Sequence, residues 1–463
     1  MAEPDVSVKD KSNYTFPQIP EDLLQFIRRD TYSLLVKGFA GTGKTTLALT
    51  ILNVLGIKNN FFYISTRLSP KQLFQYYPWL KDFVQQSMAH DTTLPRDREM
   101  MSTFEDARLD EPESLFERIT NQLMDIKSPI IIIDSWEAIA SFMDREARLN
   151  NERVLQTWRE RAAAKLIFIS EQPADTTLDF LVDGIVELRQ TYYNNLRLRQ
   201  IFLQKLRGTR INRPCYLYTL ENSIFHSFTP YQRINFETYK KRNSADLFDA
   251  PTHDNIKTGY PVLYASLGSG FPRKGMVLLE LDSHVNMTIA LIFLHRIVSN
   301  HVLSGNPVVL QPASSMDPSS ILHFFQTSLP PIKKSLFKIL WTGKNPSVDQ
   351  LLGSLMKMKN KYRNQVLLNI MSAEFLQNLD ITKNIRGILM NKLSSILTHA
   401  DLSIVLLAPS QADILDFVSD LSNVHLRFTM IDDTLFLHSL VPSSNLYSVI
   451  FDGHSHVSFK PVV

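Results

Sequence analysis

Residues Gly38 to Thr46 read GFAGTGKTT and complete the pattern G-x-x-x-x-G-K-[ST]. Each residue type has a physical task at that spacing. Gly38, Gly41 and Gly43 let the backbone wrap tightly, so that successive N–H groups through Phe39, Ala40 and Thr42, and the helix N-terminus that follows, point at negative charge. Lys44 is expected to reach the β- and γ-phosphates of a nucleotide, Thr45 to hold Mg²⁺ through its hydroxyl, and Thr46 to touch the α-phosphate. A second candidate ligand for the metal is Asp134, which ends the apolar run Pro129-Ile130-Ile131-Ile132-Ile133. A carboxylate at a strand C-terminus beside a phosphate loop can order Mg²⁺ or its waters.

The elements needed to position these groups are legible around them. Ser33-Leu34-Leu35-Val36 reads as a strand before the loop and Leu47 to Leu52 as a helix after it, the context expected of a working phosphate loop. Asn60 to Ser65 reads as a second strand, and Ser69-Pro70 as the capped start of a helix. The stretch from about His90 to Glu113 lacks apolar period and is expected to be an exposed connection, followed by a helical pattern at Leu115, Ile119 and Leu123. The β-branched run before Asp134 suits the middle of a parallel sheet. Runs at Lys165–Ser170, Gly184–Leu188 and Arg199–Gln204 extend the sheet, the later ones antiparallel.

The chain has 463 residues, which favours more than one domain. Its 49 Lys and Arg against 46 Asp and Glu give a formal charge of +3, too small to indicate nucleic acid by itself. One cysteine, Cys215, excludes an internal disulfide, and no Cys/His spacing suggests zinc, so a cytoplasmic setting is expected. Neither a secretion signal nor a membrane span is indicated.

A second α/β pattern begins near Ile256, after the basic stretch Tyr239 to Ser244. The expected organisation is a polar tail over 1–15, a P-loop domain over 16–238, a linker over 239–255 and a second domain over 256–463. In the second domain Gly275–Glu280 is strand-like and Met287–Val298 helix-like, which puts Leu281 to Thr288 where a phosphate loop would be. Leu281 and Asn286 stand in place of the glycines and Met287 in place of lysine; Thr288 alone fits. The candidate acidic strand there, Val366-Leu367-Leu368-Asn369, ends in an amide.

Together GFAGTGKTTLAL, STRLSP at Ser65, IIIIDSWEAIA at Ile130, SEQP at Ser170, LVDGIVEL at Leu181 and KLRGTR at Lys205 resemble the RecA-superfamily ATPases of the KaiC type. The first half looks most like the P-loop domain of the gas-vesicle regulator GvpD and its relatives. Thr258–Pro261 and Leu267–Gly275 are similar to the segment leading into a KaiC-type core. The resemblance implies two tandem RecA-like P-loop NTPase domains with mainly parallel sheets flanked by helices, the second a degenerate pseudo-ATPase. It also implies ATP and Mg²⁺ as ligands and a homo-oligomer, ring-shaped in the family. Asp134 carries the family's metal-ordering role, Glu171 its γ-phosphate-sensing position, and Lys205 and Arg207 its K-x-R-G element, which reaches a neighbouring subunit's γ-phosphate.

One departure stands out. The family's catalytic glutamates follow the second strand, where this chain reads Ser65-Thr66-Arg67-Leu68, with no acid from Phe61 to Tyr77. The leading expectation is an ATP-dependent regulator or assembly factor that hydrolyses slowly, with a protein partner engaged through the second domain. Two alternatives stay open. One is a recombinase-type ATPase that binds DNA through Arg189, Arg197, Arg199, Lys205, Arg207, Arg210 and Arg213, a stretch without acids. The other is a scaffold indifferent to nucleotide. Phe39 and Trp136 are read as packing residues.

Overall fold

The computed structural model describes residues 18–57, 60–81, 104–108, 112–123, 128–141, 143, 154–155, 157–160, 163–172, 177–234, 255–268, 270–327, 329–341, 348–377, 385–451 and 457–463. The tail over 1–15 and nearly all of the linker over 239–255 lie outside them. The chain divides into two compact units, one running to Thr229 with Val462–Val463 added, the other from Pro230 to Pro461.

In the first unit, β1 (Tyr32–Gly38) is buried along its whole length, as are β2 (Phe61–Ser65) and β4 (Ile130–Asp134). Strands that are apolar on both faces need cover on both, and only a parallel sheet between helical layers supplies it. The sheet runs β3-β2-β4-β5-β1-β6-β7-β8-β9, with β3 at Phe104–Asp106, β5 at Lys165–Ser170, β6 at Gly184–Tyr193, β7 at Leu196–Leu206, β8 at Cys215–Thr219 and β9 at His226–Ser227. Strands up to β6 are parallel, and β7 to β9 extend the sheet antiparallel. β3 falls within the stretch expected to be an exposed connection; its three residues gain order by pairing with the edge of β2, which periodicity over so short a span cannot reveal.

Helix α1 (Glu21–Ile27) precedes β1, and α2 (Lys44–Val54) follows the phosphate loop, burying Leu47, Ala48, Leu49, Ile51 and Leu52. Each fully buried Leu or Ile there contributes about 1.5–3 kcal/mol. Helix α3 (Pro70–Tyr76) starts at Ser69, whose side chain accepts from Gln72 N in a capping box. Helices α4 (Pro112–Leu123), α5 (Trp136–Ala140) and α6 (Thr177–Leu181) complete the described flanking elements used below.

The second unit repeats this plan. After the small pair β10 (Asn255–Ile256) and β11 (Phe271–Pro272), its sheet runs β14-β13-β15-β16-β12-β17-β18-β19-β20. Here β12 is Gly275–Leu281, β13 Val308–Gln311, β14 Phe337–Ile339, β15 Leu368–Ser372, β16 Leu402–Leu407, β17 Val424–Ile431, β18 Thr434–Val441, β19 Tyr447–Phe451 and β20 Val457–Pro461. Replacing each strand by its sequential counterpart converts one strand order into the other. Even the irregularity repeats: the register shifts between Ile185 and Val186 in β6 and between His425 and Leu426 in β17, the first residues after equivalent strand starts. The molecule therefore holds two tandem α/β domains of the P-loop kind, each with a mostly parallel sheet flanked by helices.

Candidate nucleotide site

Gly38 closes β1 with φ +151°, and a Cβ there would stand 2.4 Å from the carbonyl oxygen of Leu188 in β6. Gly43 adopts φ +90° at the N-cap of α2, where a Cβ would meet Leu220 at 2.6 Å. Both positions therefore exclude side chains, by backbone conformation and by crowding. Between them the loop is pinned from inside: Thr42 Oγ1 donates to the Phe39 carbonyl at 2.8 Å, and the Tyr218 hydroxyl donates to the Thr42 carbonyl. Because Gly43 offers no side-chain cap, the first N–H groups of α2 keep their donor capacity at the loop. Ala40 and Gly41 form the exposed outer turn of the loop. Phe39, read from sequence as packing, is 67% exposed, because the loop's outward turn carries its side chain away from the core while its carbonyl faces inward.

Lys44 Nζ donates to the Gly38 carbonyl at 2.8 Å and the Phe39 carbonyl at 3.0 Å, which lays the side chain along the loop. Burial pushes its ammonium pKa down, while Glu171 and Asp134 pull it up, Arg67 adds to the lowering and Glu137 opposes it. Those four charges are thus the electrostatic surroundings of the lysine. Thr45 Oγ1 donates to Asp134 Oδ2 at 2.6 Å. The Tyr63 hydroxyl, buried in β2, donates to the same oxygen. A hydroxyl and a carboxylate side by side at the mouth of a phosphate loop are the all-oxygen set that suits Mg²⁺, so Thr45 and Asp134 fit the metal the motif implies. Asp134 is further fixed by its own carbonyl, which accepts from Thr66 N at 2.8 Å and Thr66 Oγ1 at 3.1 Å. Thr46 Oγ1 lies 3.1 Å from the Tyr77 hydroxyl.

The structure brings Glu171 to the same end of the sheet. It follows β5, and its carboxylate is gripped by both terminal nitrogens of Arg67, which follows β2. Arg67 stands where the resemblance puts a glutamate, and its guanidinium reaches across the end of β4 to an acid from another strand. Glu137, on α5, accepts from Ser170 Oγ and from Glu171 N. Sequence reasoning did not single out Glu137, Tyr63 or Tyr77. A usable signal existed for Tyr63, a polar tip within a strand buried throughout, which needs a partner. For Glu137 the signal was its place in the first turn of the helix that directly follows Asp134.

Lys205 and Arg207 lie elsewhere. β6 and β7 pair Gly184 with Leu206, and Gly184 is level with Leu34, so both cations sit at the end of the sheet opposite the phosphate loop. Lys205 Nζ donates to the carbonyls of Asp179 at 3.0 Å and Val182 at 2.7 Å at the end of α6. Arg207 lies beyond the end of β7 and is 3.4 Å from Asp183 Oδ1. The basic stretch is accordingly divided. Arg189 is paired with Glu187, Arg199 is buried, and Arg197 and Arg207 are separated by roughly 33 Å of extended strand.

In the second unit the corresponding loop has the same length, with Leu281 at the place of Gly38 and Met287 at that of Lys44. Asn286 caps the helix after β12, its side chain accepting from Ile289 N at 3.2 Å. Asp282 accepts from Thr429 Oγ1 at 2.6 Å and from Ser283 N at 2.8 Å. Burial raises its pKa, but these hydrogen bonds, Arg427 and His284 outweigh it and hold the carboxyl below the ordinary range. A fixed negative charge thus stands within the loop that corresponds to the phosphate loop. The register also corrects the acidic-strand assignment. Ser372 is level with Leu406 and Leu279, as Asp134 is with Ile169 and Val36, so Ser372 is the counterpart of Asp134 and Asn369 lies near the start of the strand. Val366 and Leu367 precede the strand, which ends three residues later than expected.

Residues 23–204 match the family model described as GvpD gas vesicle protein, P-loop domain. The chain is 25% identical to Protein GvpD2 of Halobacterium salinarum over 318 residues, covering 66% of this chain and 63% of that protein. It is 28% identical to Protein GvpD1 of the same organism over 281 residues, covering 57% of this chain and 50% of that protein. The chain thus spans between half and two-thirds of the length of these relatives. No helix among the described residues is long and apolar enough to cross a membrane. With the loop geometry, the match makes residues 23–204 a P-loop domain similar to that of the GvpD proteins.

Proposed function

We propose that the first unit binds MgATP and acts as a slow, nucleotide-gated regulatory ATPase of the GvpD kind, while the second unit is a pseudo-ATPase that makes assembly or partner contacts. The observation that carries this reading is the contrast of the two loops: one keeps Lys44 and the Thr45–Asp134 pair at an uncapped helix start, the other is capped by Asn286 and carries Asp282. Lys44 and the loop N–H groups bind and orient the phosphates. Thr45 and Asp134 would hold Mg²⁺, which when bound would offset phosphate charge. Glu171 orients a water, its carboxylate gripped by Arg67 and its backbone N–H held by Glu137. Lys205 and Arg207, at the opposite end of the sheet, serve a second copy of the chain in this reading. The similarity to GvpD proteins directs the search for a partner to gas-vesicle regulation.

ATP hydrolysis and ATP-dependent assembly, followed in parallel for the native chain, Lys44→Ala and Lys205→Ala, test this. Activity lost in both variants and restored on mixing them supports a site shared between copies; assembly driven by ATP without turnover supports a switch alone. Assembly and partner binding that ignore ATP and survive Lys44→Ala would sink the proposal in favour of a nucleotide-independent scaffold.

A further inference from the structure

At the opposite end of the sheet from the phosphate loop, the first unit has a hollow of about 430 Å³ lined by Arg29, Thr31, Tyr32, Arg159, Asp183 and Arg207, with Glu160 at its side. Three guanidinium groups face two carboxylates, and the carboxylate between them is already committed. Asp183 accepts from Ser33 N at 3.1 Å, Ser33 Oγ at 3.0 Å and Arg159 Nη1 at 2.8 Å, with Arg207 Nη1 at 3.4 Å. A carboxylate has about four lone-pair sites, so Asp183 has little capacity left, whereas each guanidinium carries five donors. Arg29 is held rigid: its terminal nitrogens donate to the Arg207 carbonyl and to Thr209 Oγ1, and its plane lies over the Phe26 ring at 5.3 Å.

We infer that this hollow is a second anion site, distinct from the phosphate loop, that takes the phosphate group of a small molecule through Arg29, Arg159 and Arg207. Guanidinium forks match the paired oxygens of phosphate, and a volume of this size holds more than one phosphate group. The inference is independent of ATP binding at the loop.

Equilibrium dialysis of labelled inorganic phosphate, pyrophosphate and AMP against the full chain tests it, with Lys44→Met removing the loop's share. Phosphate binding that persists in Lys44→Met and weakens about tenfold or more in Thr31→Glu and in Arg29→Gln is expected, while binding of a fluorescent ATP analogue at the loop changes less than about twofold in those two variants. Thr31 is exposed, so Thr31→Glu decides the matter if Arg29→Gln does not fold. Equal affinity for phosphate and AMP identifies the phosphate group alone as the ligand; preference for AMP identifies a nucleoside monophosphate, and either supports the site. Phosphate binding abolished by Lys44→Met, binding unchanged in Thr31→Glu, or citrate binding as tightly as pyrophosphate would overturn it.

Discussion

The two units share a strand order and a register irregularity, yet only one loop is built for phosphate. Where the first unit has Gly43, Lys44 and Asp134, the second has Asn286, Met287 and Ser372. The difference teaches that the sheet, and the connection it imposes between strand and helix, survive the loss of the chemistry. The loop of the second unit satisfies its helix start from within, by the Asn286 cap, and thereby ties up one of the donors that would face a ligand.

The largest expected divergence is in acid. Burial lowers the pKa of His295, His301 and His438, all in the second unit, to about 4 in each case. A histidine whose folded pKa lies below its unfolded value binds more protons when unfolded, so its stabilising effect is present above pH ~6.5 and is lost as pH falls toward ~4. At roughly 3 kcal/mol per histidine as an upper bound, the second unit should melt first as pH drops through that window. Among the described residues the first unit has one histidine, His226. Unit-specific proteolysis across pH 7 to 4 checks this; loss of the first unit ahead of the second would contradict it.

Copying the second loop onto the first by Lys44→Met should weaken ATP binding about 100-fold, since a charge-assisted contact to phosphate contributes on the order of 3 kcal/mol. Adding Gly43→Asn should reduce it further, because Leu220 occupies the space a side chain needs. Calorimetric titration with MgATP reads both.

Glu171→Gln should lower turnover about 10- to 100-fold while ATP affinity stays within about threefold, the signature of a water-orienting acid that does not hold the nucleotide. Steady-state phosphate release alongside binding separates the two quantities; equal losses in both would place Glu171 in binding instead.

A smaller effect, about 1 kcal/mol, is expected from Tyr63→Phe, which removes one donor from Asp134 and leaves the packing against Phe104 intact. It should appear as a lower thermal midpoint and a raised magnesium requirement. The smallest effect is the reverse graft. Asn286→Gly with Met287→Lys should add no nucleotide binding to the second unit, because Asp282 and Ser372 remain; binding stoichiometry rising above that of the native chain would break the comparison.

The spacing of GFAGTGKTT and the carboxylate ending an all-apolar strand were enough to mark the loop and Asp134, because phosphate cradling demands those residue types in that order. The second loop's degeneration was equally legible, since it is an absence of the same residues. The sequence did not reveal Tyr63 and Tyr77 as partners, the grip of Arg67 on Glu171, or the true counterpart of Asp134 at Ser372. All of these depend on strand order and register, which bring β2, β4 and β5 together across long stretches of chain. The ends of the sheet divided the rest: the resemblance groups Lys205 and Arg207 with the loop, but an antiparallel strand carries them to the opposite end of the sheet, beside Arg29 and Arg159. Local backbone chemistry, written within a few residues, belongs to the sequence; which distant charges meet is decided by the order in which strands pair, and that is fixed only when the hydrophobic faces of the sheet are buried.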